Sequence, residues 1–113
     1  MESKAALAAL AALAQETRLA IFRLLVEAGP TGMAVGEIGA ALKTAPATLS
    51  FHLKELANAA LLSSRQDGRY IFYSTNYPQM NALVAFLTEN CCARDGGRGA
   101  CGPVRKSTQR SKA

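Results

Sequence analysis

Residues 44–75 read TAPATLSFHLKELANAALLSSRQDGRYIFYST, and a change of period inside that stretch decides the fold. The first half repeats at helical spacing. Leu49, Leu53 and Leu56 share a face, Thr44 is the expected cap, and Pro46 falls in the first turn, where a missing N–H costs nothing. Opposite those leucines the reading places Ala47, Thr48, Ser50, Phe51, His52 and Lys54. The second half is extended: LLSSRQ and RYIFYS flank Asp67-Gly68, which predicts a β-hairpin.

Immediately upstream, AVGEIGAALK over residues 34–43 predicts a short helix with Val35, Ile38 and Leu42 on one side. With the next helix at 45–60 and the hairpin directly after it, the order is that of a helix-turn-helix with a wing. In such a unit the second helix enters the major groove and the hairpin reaches flanking phosphates. The expected DNA-binding set is therefore Lys43, Ala47, Thr48, Ser50, Phe51, His52 and Lys54 from the helix side, with Arg65, Gln66 and Arg69 from the wing. Hydroxyls, the imidazole and the ammonium groups suit base edges or phosphates, and the arginines flank the wing turn.

Further out, KAALAALAALAQ predicts a first helix at residues 4–14, in which alanines between leucines let another helix approach closely. The run has a basic residue and a small-x-small triplet, as a secretory signal does, but its pattern continues into QETRLAIFRLLVEA with charges on the polar side. The expectation is an amphipathic helix pair, the second at 16–28 with Leu19, Phe22, Leu25 and Val26 at helical spacing and AGPTG as its stop. A last helix follows from NYPQMNALVAFLTEN, with an apolar stripe of Met80, Leu83, Val84 and Leu87. The fold class is mainly α with a small β-hairpin: a winged helix-turn-helix, expected to be dimeric.

The 113-residue chain is half apolar and carries a formal charge of +5. A core of that size is modest, and a dimer would bury further apolar surface. Residues 1–90 hold seven Lys/Arg against seven Asp/Glu, so the whole excess lies in the tail, which by itself reads as a solubilising basic extension. No run approaches the roughly 20 apolar residues of a membrane span. Three cysteines, an odd number, argue against a disulfide framework and fit the reducing cytoplasm. No carboxylate pair, phosphate-cradling glycine loop or nucleophile with a base is present, so an enzyme is not expected.

From Ala14 to Ser74 the chain resembles the ArsR/SmtB family of winged-helix metalloregulators. LAQETRLAIFRLL is similar to the family's ALADPTRLRILRLL, LSFHLKELANAALL to VSRHLKLLREAGLV, and RQDGRYIFYS to the RREGRWVYYRL wing. The resemblance implies a homodimeric repressor with its first and last helices at the dimer interface, released from operator DNA by an inducer. It also implies that Ser50 and His52 sit in the recognition helix, with Phe51 in place of an Arg often found between them. Arsenic sensors of the family place a Cys-Val-Cys pair in the preceding helix. Here that stretch is MAVGEI, with Ala34 and Gly36 at the thiol positions.

All three cysteines instead fall in ENCCARDGGRGACGPV, residues 89–104, as Cys91, Cys92 and Cys101. Soft thiolates suit thiophilic ions, and trivalent arsenic takes three of them. Gly96, Gly97 and Gly99 let the intervening loop fold back, while Arg94 and Arg98 favour thiolate. Arsenite, or antimonite, is the expected inducer. The alternatives are a zinc or cadmium site with Asp95 as fourth ligand, a redox switch pairing Cys101 with Cys91 or Cys92, or a thiol-rich metal-binding protein that does not bind DNA. The expected division is residues 1–90 for DNA binding and dimerisation, and 91–113 for the inducer segment and basic tail.

Overall fold

Alanine gives the first helix both its propensity and its packing face. In the computed structural model, which describes residues 1–94, α1 (Ser3–Leu13) buries Ala6, Ala9 and Ala12 and approaches α2 and α4. The leucines point the other way, Leu7 being 66% exposed. α2 (Glu16–Ala28) leaves α1 at an angle of 101°. Its entry is capped by the Gln15 side chain, which accepts from the Arg18 N–H at 2.8 Å. α2 buries Ile21, Phe22 and Leu25; Leu19, expected among them, is exposed because it lies beyond the Phe22 edge of that i, i+1, i+4 stripe.

By compactness the chain divides into Met1–Leu83 and a second unit beginning at Val84. In the first unit, α3 (Val35–Leu42) starts with the Ala34 N–H donating to Glu37 Oε1 at 2.8 Å. It closes against α4 at Gly39, where a Cβ would meet Leu49 Cδ2 at 3.2 Å. α3 ends at Lys43, which adopts left-handed backbone with φ 53°. Thr44 does not cap the next helix: the N-cap is Ala45, and the Thr44 hydroxyl donates backward to Leu42 O at 3.2 Å.

α4 (Pro46–Asn58) buries Leu49, His52, Leu53 and Leu56. This corrects the expected position of His52. Residues 49, 52, 53 and 56 follow i, i+3, i+4, i+7, so the imidazole shares the leucine face and is only 8% exposed. The helix terminates with Leu61 N–H on Leu56 O (3.1 Å) and Ala60 N–H on Ala57 O (2.9 Å), a Schellman motif with Ala60 left-handed at φ 64°.

The wing is β2 (Leu62–Asp67) paired antiparallel with β3 (Tyr70–Thr75) in the register Asp67↔Tyr70, Arg65↔Phe72 and Leu62↔Thr75. The turn residues are thus Gly68 and Arg69 rather than Asp67 and Gly68. Gly68 supplies the positive φ of 66° that a two-residue hairpin needs at its first central position. A two-residue strand, β1 (Met33–Ala34), adds to the other edge of β3 and gives the order β1-β3-β2. The sequence reading contains no strand there.

α5 (Tyr77–Thr88) is entered through Asn76, whose Nδ2 donates to Ala60 O at 2.8 Å and whose Oδ1 accepts from Gln79 N–H at 3.4 Å. Tyr77 OH donates to Val26 O at 3.1 Å. Of the expected stripe Leu83 is buried, whereas Val84 and Leu87 are exposed. Among the described residues no single helix is long and apolar enough to cross a membrane.

Candidate nucleic-acid interface

The α3 turn and the Pro46 start of α4 present the N-terminal half of α4 outward. Ala47, Thr48, Ser50, Phe51 and Lys54 are exposed along it, with Lys43 exposed at the preceding turn. Arg65, Gln66 and Arg69 are exposed on the wing. Helix and wing meet at a groove of about 320 Å³, with Ser50 and Leu53 on one wall and Arg69, Tyr70, Ile71 and Tyr73 on the other. Ser50 of the helix and Arg69 of the wing thus line one space.

His52 is the member of the predicted set that the structure withholds from this face. Its Nδ1 lies 3.2 Å from Arg18 NH1. Guanidinium can only donate, so Nδ1 is the acceptor and Nε2 carries the proton. The same arginine donates through Nε to Ala12 O at 2.7 Å, so Arg18 links the end of α1 to the recognition helix. The outer side of the imidazole meets the Phe51 ring edge-on, with centroids 5.4 Å apart at 61°.

The two wing arginines differ. Arg65 NH1 donates to Thr31 O at 2.9 Å and its guanidinium lies 4.6 Å from the Phe72 ring centroid, the cross-strand neighbour. Gln66 Nε2 bonds Gly68 O at 3.2 Å and braces the turn. Sequence reasoning missed the Arg18 link, the Arg65 clamp and the exposed Tyr70 and Ile71. Only the i, i+3, i+4 spacing of His52 carried a signal for the first.

In the second unit, Cys91 follows α5 through a tight turn, its N–H donating to Thr88 O at 3.0 Å, and Asn90 and Cys92 are left-handed at φ 60° and 63°. The two sulfurs are 3.7 Å apart. Cys91 is a free, exposed thiol and Cys92 is disulfide-bonded. Among the described residues no three His, Cys, Asp or Glu side chains gather as a metal site. Cys101 and Asp95 lie outside the described residues. Ala34 and Gly36 offer no thiol beside the recognition helix.

A short turn between two helices, a recognition helix with an exposed polar face and a wing carrying arginine beside it define a winged-helix DNA-binding protein. Comparison with known proteins narrows this: the chain belongs to the ArsR family of transcriptional regulators and is not an enzyme. Residues 13–65 match the family described as a helix-turn-helix domain. The arsenical resistance operon repressor of Bacillus subtilis (strain 168) is 33% identical over 91 residues, covering 80% of this chain and 83% of that protein. HlyU from Vibrio cholerae N16961 superposes with a TM-score of 0.64 at 29% identity over 81% of this chain and 99% of that one. A homodimeric winged helix-turn-helix DNA-binding domain from Mycobacterium bovis, at 21% identity, shares the fold with a TM-score of 0.63 over 87% of this chain and 89% of its own.

Proposed function

We propose that this chain is a cytoplasmic homodimeric repressor that binds double-stranded operator DNA and leaves it when trivalent arsenic, or antimony in its place, is held by Cys91, Cys92 and Cys101. The observation that carries the reading is that a relative of an arsenical-resistance repressor keeps every cysteine within residues 91–101. Once a reductant has returned the disulfide at Cys92 to thiols, the chemistry balances: three thiols displace the three hydroxides of arsenous acid as three waters and form three As–S bonds. Residues 1–90 bind DNA and dimerise in this reading, and 91–113 sense the inducer. Dimerisation draws support from the exposed leucines of α1 and from exposed Val84 and Leu87 on α5. Closing the 93–100 loop on an ion pulls at the end of α5 and biases the dimer toward an arrangement with lower operator affinity; the shift equals the differential binding energy of the ion.

A redox-responsive repressor is the second reading, and the disulfide at Cys92 favours it. A zinc or cadmium site completed by Asp95 is a variant of the same sensor. Titrating the operator complex with arsenite, antimonite, zinc, cadmium and peroxide separates them, with a phosphine keeping thiols reduced in the metal arms. Release by arsenite and antimonite alone is the expected result. A chain that binds the ions but no DNA is a thiol-rich metal-binding protein instead.

A further inference from the structure

Phe51 is a large apolar side chain, 56% exposed, in the middle of a helix face otherwise made of small and polar residues. Ala47 and Thr48 stand one turn before it and Lys54 nearly one turn after, so Phe51 is central to the surface that α4 turns outward. Exposing a phenyl ring there costs solvation, and one ring contact holds it. That contact is the edge-on packing against His52, 5.4 Å between centroids, and His52 is itself buried and bonded to Arg18. The ring is therefore backed by a fixed imidazole and aimed outward. Among major-groove features the one apolar group is the thymine C5-methyl, and phenylalanine, alanine and the threonine methyl are side chains suited to it.

We infer that Phe51 is a specificity-determining residue that reads a thymine methyl group in each half-site, with His52 and Arg18 as positioning residues behind it. The inference rests on the DNA-binding reading above and names what that face recognises: duplex whose half-site carries thymine opposite Phe51. Charge plays no part in this contact, so it adds selectivity without adding to the salt dependence of binding.

The test isolates the methyl group. A duplex selected by the wild-type protein from a randomised pool is resynthesised with each half-site thymine replaced, one position at a time, by deoxyuridine, which keeps all base-pairing groups. At one position wild-type affinity should fall about four-fold per half-site, and about fifteen-fold when both half-sites are changed, as expected for losing one buried methyl each. Phe51→Ala, a change at an exposed site, should bind the thymine and uracil duplexes equally, and Phe51→Leu should keep part of the preference. Equal sensitivity of wild type and Phe51→Ala at every thymine overturns the inference while leaving DNA binding intact. Failure to select any duplex overturns the DNA-binding reading itself and this inference with it.

Discussion

Arg18 NH1 stands 3.2 Å from His52 Nδ1 while the Nε of the same guanidinium holds Ala12 O at 2.7 Å. One side chain thus ties α1, α2 and the recognition helix, and it takes the imidazole out of the DNA-facing set. The consequence is a stability role. His52→Ala should cost about 2–3 kcal/mol in chemical denaturation, from a lost hydrogen bond to a charged partner and a cavity in the leucine face. Ser50→Ala, on the exposed face, should stay within about 0.5 kcal/mol of wild type and lose operator affinity instead. A His52→Ala protein of undiminished stability that had lost only sequence discrimination would restore the imidazole to the DNA surface.

Within Met1–Leu83 two backbone positions, Ala60 and Lys43, are strained by the residues they carry. Ala60 occupies the left-handed C′ position of the α4 Schellman motif, where the similar family pattern has glycine. Ala60→Gly should raise stability by about 1 kcal/mol and leave DNA binding unchanged.

Lys43, left-handed at φ 53°, should give a different outcome, because the proposed reading sets its exposed side chain on phosphate. Lys43→Gly should also gain about 1 kcal/mol of stability, yet operator affinity should fall and the log-log salt slope should shrink by about 2 for a dimer, one phosphate contact per chain. Stability and affinity moving together would argue against a phosphate role.

The wing arginines should separate in the same way. Arg65→Ala removes the bond to Thr31 O and the Phe72 contact and should cost about 1 kcal/mol of stability. Arg69→Ala should cost nothing measurable in stability and weaken operator and random DNA by similar factors, since phosphate contacts carry no sequence information. If only Lys43, Lys54 and Arg69 of each chain meet phosphates, six contacts give a salt slope near −5, against about −7 if Arg65 joins them.

Much of this was legible in the sequence because it rests on periodicity. The leucines of α4, the switch to extended runs at Leu61, and the alanine face of α1 each repeat often enough to fix an element. What escaped rests on single contacts. β1 is two residues long and has no period to read, so only its pairing with Tyr73 and Phe72 defines it. The turn shifted by one residue because Asp67 pairs with Tyr70, a matter of register that the dipeptide alone does not carry. His52 was misplaced by chemistry, since a polar residue among Ser50, Phe51 and Lys54 reads as surface although its helical position is the core's. The cysteines were visible as a cluster, whereas the ligand proposed for them is a matter of thiol chemistry that spacing does not specify.

Dimerisation has its own check. Leu7 is 66% exposed on α1, where the buried positions are alanines. Leu7→Glu should shift the protein toward monomer on sedimentation at micromolar concentration and weaken a near-palindromic site, whose half-sites a two-fold dimer reads about 34 Å apart, far more than random DNA. An unchanged sedimentation coefficient would remove α1 from the interface.

The most direct measurement of the central claim compares arsenite titrations of operator complexes formed by the full chain and by a chain ending at Asn90, both kept reduced. The account expects both to bind the operator and only the full chain to leave it, with Cys91→Ser, Cys92→Ser and Cys101→Ser each behaving like the shortened chain. A chain ending at Asn90 that still leaves its operator on adding arsenite would contradict it.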